Sequence, residues 1–233
     1  MISRQTFLRF SLLAVAARKL GAMRVRWGLV VDTAKCAKDS GCTKCIAACH
    51  QAHNVPAIPD RRHEVRWIWK DSVEHAFGPQ DAYSANADLP IMLTCNHCDN
   101  PPCVRVCPTA ATWKRDDGIV MMDWHRCIGC RYCIAACPYG SRSFNWQDPR
   151  PYIQNPNPQF PTRTKGVVEK CNFCEERLAE GRVPSCVESC PEKALIFGNL
   201  ADPNSEIREA LRSRRHVRRK AELGTGPNVF YIV

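Results

Sequence analysis

The stretch CIGCRYCIAACPYG, residues 127–140, decides the reading: four cysteines separated by two, two and three residues, the last followed at once by proline. Working outward, the same punctuation recurs along the chain. Its 16 cysteines fall into four groups of four: Cys36, Cys42, Cys45, Cys49; Cys95, Cys98, Cys103, Cys107; Cys127, Cys130, Cys133, Cys137; and Cys171, Cys174, Cys186, Cys190. Each group contains a C-x-x-C step and ends on a cysteine four positions after the one before. Pro108, Pro138 and Pro191 follow three of the closing cysteines, and His50 takes that place in the first group. The remaining steps vary in length, and KCAKDSGCTKC opens the first loop most widely.

A disulfide framework does not account for this pattern, because neighbouring C-x-x-C thiols make strained, redox-labile bridges. A structural zinc site takes two knuckles well apart, whereas here four thiols crowd into one short loop, as the C-x2-C-x2-C-x3-C-P run does around a cubane iron-sulfur cluster. Steps of two residues wrap three thiolates around one compact core, and Gly129 lets the backbone approach. Pro138 cannot extend the helical turn before it, so Cys137 is pushed toward extended geometry and its thiolate aims out of its own loop. That agrees with the rule that the fourth cysteine serves the other cluster of a pair. Sixteen thiolates at four per cubane account for four [4Fe-4S] clusters with none left over. His97, between Cys95 and Cys98, and His50 are weaker candidate ligands, since the cysteines already fill every site.

With these motifs the chain resembles the four-cluster, ferredoxin-like electron-transfer subunits of membrane-associated respiratory oxidoreductases, from about Trp27 to the closing ELGTGPNVFYIV. The runs MMDWHRCIGCRYCIAACPYGSRSFNW, FPTRTKGVVEKCNFC and SEIREALRSR look most like the DsrO family, the iron-sulfur subunits of Dsr transmembrane complexes linked to dissimilatory sulfur metabolism. The resemblance implies an α+β fold of two ferredoxin-like units, each holding two [4Fe-4S] clusters, with inserted strands and long loops. One unit takes residues 25–52 and 165–200, the other 93–148; 53–92 form an insert with a strand, 149–164 a proline-rich loop, and 201–233 a helix, a basic run and a tail. It also implies interlaced ligand sets. Cys36, Cys42, Cys45 and Cys190 hold one cluster; Cys95, Cys98, Cys103 and Cys137 a second; Cys127, Cys130, Cys133 and Cys107 a third; Cys171, Cys174, Cys186 and Cys49 a fourth. The implied partners are an NrfD-type integral membrane subunit (DsrP-like), a multihaem cytochrome c (DsrJ-like) and the other Dsr subunits, with menaquinone as the pool. The electron-transfer subunit of a molybdopterin reductase shares all four cysteine groups and is the alternative; a structural zinc protein is a distant one.

The remaining segments fit a carrier with no chemistry of its own. No nucleophile or acid-base pair stands out, so the expectation is a non-catalytic subunit. The net charge of +10 and the run SRRHVRRK raise nucleic acid as a partner. Four clusters of charge about −2 each bring the total to roughly +2, which makes nucleic acid the weaker reading. SRQTFLRFSLLAVAA, within residues 1–24, resembles a twin-arginine export signal in which Gln5 replaces the second arginine, so the exoplasmic or periplasmic face is expected and the cytoplasmic face is the alternative. Its apolar run is too short to span a bilayer. Val65, Trp67 and Trp69 alternate as in a half-buried strand. The five prolines of residues 149–161 predict an extended segment. Asp202 and Pro203 suit the N-cap and first position of a helix. Lys44, Arg105, Arg126, Arg131 and Lys170 stand beside cysteines as charges that would raise a cluster's potential, and Tyr132 and Phe173 as rings that shield one from water.

Overall fold

The computed structural model describes residues 25–78 and 88–233. The twin-arginine-like stretch of residues 1–24 lies outside them. The fold is α+β, with short helices and small sheets spaced by long irregular connections. Strand β1 (Trp27–Asp32) lies inside a four-stranded sheet, antiparallel to β8 (Leu195–Asn199) and parallel to β10 (Val229–Ile232). Three antiparallel two-stranded sheets accompany it: β2 (Ile68–Ser72) with β3 (Pro90–Thr94), β4 (Thr112–Lys114) with β5 (Val120–Met122), and β6 (Ser143–Phe144) with β7 (Val168–Glu169).

β1 reads as a nearly continuous apolar run because both of its faces are covered. Leu29 and Val31 join the main core with Trp67, Ile91, Leu93 and Tyr231, while Val30 meets Ile207 and Phe230 on the other side. Ile207 belongs to an amphipathic helix, Glu206–Ser213, whose apolar side seals that second face. The helix begins later than the sequence suggests. Asp202 accepts from the Asn204 N–H and closes a turn, and Ser205 is the N-cap residue. The Ser205 hydroxyl is spent on the carbonyls of Asn199 and Asp202, which tethers the turn to β8.

The basic run also has a structural task. His216 and Val217 form β9 at the edge of the sheet, antiparallel to β10. Beyond them the Arg219 Nε donates to the Ala76 carbonyl at 3.1 Å, and the Lys220 Nζ to the Pro138 carbonyl at 2.7 Å. The run therefore stitches the sheet to the third cysteine group. The next residues form a strap over the second group. Gly226 accepts from the Asp99 N–H, Asn228 donates to the His97 carbonyl, and the Thr225 and Tyr139 hydroxyls meet at 2.5 Å. Gly226 has φ +64°, and a Cβ there would meet Asp99 Cβ at 2.8 Å, so this close approach calls for glycine.

The strand around Trp67 starts later than its alternation predicts, at Ile68, and Val65, Trp67, Ile68 and Trp69 are all buried. These side chains fill the space between the sheet and the cysteine loops instead of half facing water.

Candidate metal centres

Three of the cysteine groups fold the same way after their third thiol. Pro102–Arg105, Tyr132–Ala135 and Ser185–Glu188 are single helical turns carrying Cys103, Cys133 and Cys186. Each turn ends before Cys107-Pro108, Cys137-Pro138 or Cys190-Pro191, where proline has no N–H to offer a helix. Two residues after each proline the backbone turns left-handed, at Ala110 (φ +51°), Gly140 (φ +63°) and Lys193 (φ +47°), and a strand follows. In each case that residue's N–H donates to the carbonyl of the closing cysteine. The first group departs from this plan. With His50 in place of proline the helix runs unbroken from Lys44 to His53 and ends at Asn54 in the left-handed region.

The closing thiols leave their own loops. Cys137 stands among Cys95, Cys98 and Cys103, and these four line one small apolar pocket. Cys190 lines another with Cys36, Cys42 and Cys45. Cys49 faces Cys171, Cys174 and Cys186. In the remaining set Cys133 lies near Cys127, and both share an apolar cluster with Cys107.

Left-handed residues inside the loops, among them His97, Gly129, Arg131, Phe173 and Cys174, bend the chain so that successive thiols converge. Gly129 is required for a second reason: a Cβ there would collide with the Gly166 carbonyl, so its smallness serves loop-to-loop packing as well as approach to a bound group.

All sixteen thiols are free of disulfide and none is fully exposed. Burial, and then the neighbouring thiolates, push Cys45 up to about 11 and Cys98 up to about 12. Burial and then Cys171 push Cys174 up to about 12, and burial leads the same rise at Cys49 and Cys186. Four soft donors packed together with their charged forms disfavoured fit a polynuclear iron-sulfur group, whose positive iron supplies the missing counter-charge. The donor chemistry therefore suits [4Fe-4S] clusters.

The two histidines are engaged elsewhere. His97 Nδ1 accepts from the Val120 N–H at 3.0 Å, and its ring stacks on Phe173 with centroids 3.7 Å apart. Burial, then Lys170 and Arg142, hold that imidazole far below its usual range and so neutral. His50 is held down to about 4 by burial, and its charged neighbours are Glu169 and His53.

Of the two loop aromatics, Phe173 is buried as expected, but Tyr132 is 62% exposed. Tyr132 points into water because it opens a helical turn whose inner face is already taken by Cys133. Of the five flanking cations Lys44, Arg105, Arg126 and Arg131 are exposed and Lys170 is buried.

Sequence reasoning missed two further charged groups. Arg142, five residues past Cys137, is buried beside Cys103, Cys133 and Cys95. Arg163 and Glu169 form a fully buried ion pair at 2.6 Å. The Glu169 carboxylate also accepts from Trp67 Nε1 and Asn145 Nδ2. Arg163 donates to the carbonyls of His53, Asn54 and Pro161. Its guanidinium stands over the rings of Trp67, Trp124 and Phe160 at 5.4–5.8 Å. The proline-rich segment is thus ordered from beneath. Asn54 Nδ2 donates to the Asn157 and Phe160 carbonyls, and Asn54 Oδ1 accepts from the Asn157 N–H.

Comparison with known proteins places these loops in a described group. Residues 90–150 and 156–200 match the model of a 4Fe-4S dicluster domain. The chain is 44% identical to Hdr-like menaquinol oxidoreductase iron-sulfur subunit 1 of Archaeoglobus fulgidus, over 88% of this chain and 82% of that one. It is 37% identical to the menaquinone reductase iron-sulfur cluster-binding subunit of Nitratidesulfovibrio vulgaris, over 90% and 89%. It is 36% identical to a tetrathionate reductase subunit of Salmonella typhimurium, over 92% and 75%. Among the described residues no helix is long and apolar enough to cross a membrane.

Proposed function

This chain belongs to the iron-sulfur subunits of oxidoreductase complexes that carry the 4Fe-4S dicluster domain, and from that premise we propose that it is an electron wire of four [4Fe-4S] clusters. When bound, such clusters accept and release single electrons. The observation that carries the reading is the exchange of closing thiols. Cys137 sits with Cys95, Cys98 and Cys103, Cys190 with Cys36, Cys42 and Cys45, and Cys49 with Cys171, Cys174 and Cys186. Cys107 completes the set of Cys127, Cys130 and Cys133. Each exchange ties two sets into one ferredoxin-like unit.

The neighbours across sets support a linear order. Cys45 and Cys49 lie four residues apart on one helix, so the Cys36 set adjoins the Cys171 set. Cys171 stands close enough to Cys95 to feel its charge, which joins the two units. Cys103 likewise adjoins Cys133, so the Cys127 set comes last. The residues around the sets hold them in place and exclude water. Phe173, His97, Tyr139 and Trp67 are buried between or beside them.

Electrons pass, in this reading, between a quinone-interacting membrane subunit and a second redox subunit. The menaquinol and menaquinone proteins among the relatives support the first partner. Following the DsrO-like motifs, those partners are a DsrP-like NrfD-type subunit and a DsrJ-like multihaem cytochrome c on the exoplasmic face, linked to dissimilatory sulfur metabolism. The subunit has no catalytic chemistry of its own. The likeness to the tetrathionate reductase protein favours a second reading, the electron-transfer subunit of a molybdopterin reductase.

Purification of the native complex tests all of this. About sixteen irons per chain are expected with a broad visible absorption, and zinc in a colourless protein would sink the cluster reading. A cytochrome c among the bound polypeptides supports the first partner set, and a molybdenum subunit in its place selects the second. Replacing Cys137 by serine should damage the cluster of Cys95, Cys98 and Cys103; damage confined to the loop of Cys127, Cys130 and Cys133 would refute the exchange.

A further inference from the structure

Two cations stand buried where the units meet, and neither has a carboxylate partner among the described residues. Lys170 is 1% exposed, and its Nζ donates to the Val120 carbonyl and, at 2.6 Å, to the Cys171 carbonyl. Its anionic neighbours are the thiols of Cys95, Cys171 and Cys103. Arg142 is 5% exposed and donates to Thr112 Oγ1 at 2.9 Å and to Met122 Sδ at 3.6 Å. Its anionic neighbours are Cys103, Cys133 and Cys95. Between the two cations lies the neutral ring of His97. The nearest buried carboxylate, Glu169, is on the opposite side of its strand from Lys170 and is taken by Arg163.

A buried, unpaired cation is strongly destabilising unless an anion offsets it. Carbonyl, hydroxyl and thioether dipoles do part of that, and the full negative charges within reach among the described residues are thiolates. Cys95 and Cys103 are common to both cations, and both belong to one ligand set. We propose that Lys170 and Arg142 form a buried cationic clamp that raises the midpoint potential of the cluster held by Cys95, Cys98, Cys103 and Cys137. Reduction adds one negative charge to that cluster, and two fixed positive charges in a low-dielectric interior stabilise the reduced form. The exposed Arg126 and Arg131 act through water and salt and shift it far less. Electrons entering the wire therefore dwell at this inner station. The inference rests on the ligand sets proposed above.

EPR-monitored redox titration of the purified holo complex is the test. Cys137→Ser first identifies the signal of this cluster. Lys170→Gln and Arg142→Gln should each move the midpoint of that signal lower at full iron content, with the other signals moving less. Arg142→Lys should hold it near the wild-type value, and Arg126→Gln should leave it in place. An unmoved midpoint in both neutral variants, or an equal fall in all signals, overturns the clamp while leaving the ligand sets intact. Where a neutral variant loses iron, the charge-keeping Arg142→Lys and Lys170→Arg decide. Iron retained by them alone supports a counter-charge, and iron lost from them equally reduces the role to packing and overturns it. If Cys137→Ser depletes no identifiable cluster, the ligand sets have failed instead.

Discussion

The first and third cysteine groups close with the same three-residue step, yet the chain does opposite things after it. At Cys137-Pro138 the helix stops after one turn and the backbone swings through Gly140 into β6. At Cys49-His50 the helix continues to His53, and that extra turn has its own cargo. His53 bridges the Cys49 carbonyl at 2.9 Å and the Glu176 carboxylate at 2.8 Å, and Asn54 reaches the proline-rich segment with three hydrogen bonds. One proline more or less after an otherwise shared motif thus decides whether a cysteine loop turns back to its own strand or becomes an anchor for a distant loop.

The comparison can be broken most severely at Arg163, which caps the anchor from above. Arg163→Met leaves Glu169 charged, buried and short of a partner, and should cost about 3–5 kcal/mol. The expected result is a lower melting temperature by circular dichroism, with early proteolysis near residues 149–161. Next comes His50→Pro, which gives the first group the punctuation of the other three. Proline in this helix interior should cost about 3 kcal/mol and free the 149–161 segment to proteolysis. A variant as stable as wild type would show that the extra turn does not matter.

Asn54→Gly tests the anchor alone, because glycine accepts the φ of +53° while losing the side chain. Loss of its hydrogen bonds should cost about 1–3 kcal/mol and speed amide hydrogen exchange at Asn157. Smallest is Pro138→Ala. Gly140 still turns the chain, so stability should change by no more than about 1 kcal/mol, and a larger loss would make the proline itself the terminator.

What is legible in the sequence follows from where the information lies. Cysteine groups, their prolines and the exchange of closing thiols reside in residue type and short-range spacing, so 127–140 can be read without the rest of the chain. Charges cannot be sorted that way. Lys170 looks the same in sequence as Lys44, Arg105, Arg126 and Arg131; burial separates it, and burial is set by β5 and β7, which are far apart along the chain. Arg142 and Arg163 carry no local signal at all, since an arginine in a polar stretch reads as surface. Asp202 misleads for a related reason: Asp-Pro is as good a start for a turn as for a helix, and the tether of Ser205 to β8 chooses the turn.

The parallel pairing of β1 with β10 has a consequence for how the molecule is made. Val31 lies opposite Tyr231, so a strand from the beginning of the described chain receives its neighbour from the end of it. Contacts of such long sequence separation form slowly. The residues that strap the second cysteine group, 225–228, arrive with that same last segment. A chain still being synthesised therefore has its thiols early and the cover over them late, and that interval leaves the loops open to whatever delivers iron and sulfide.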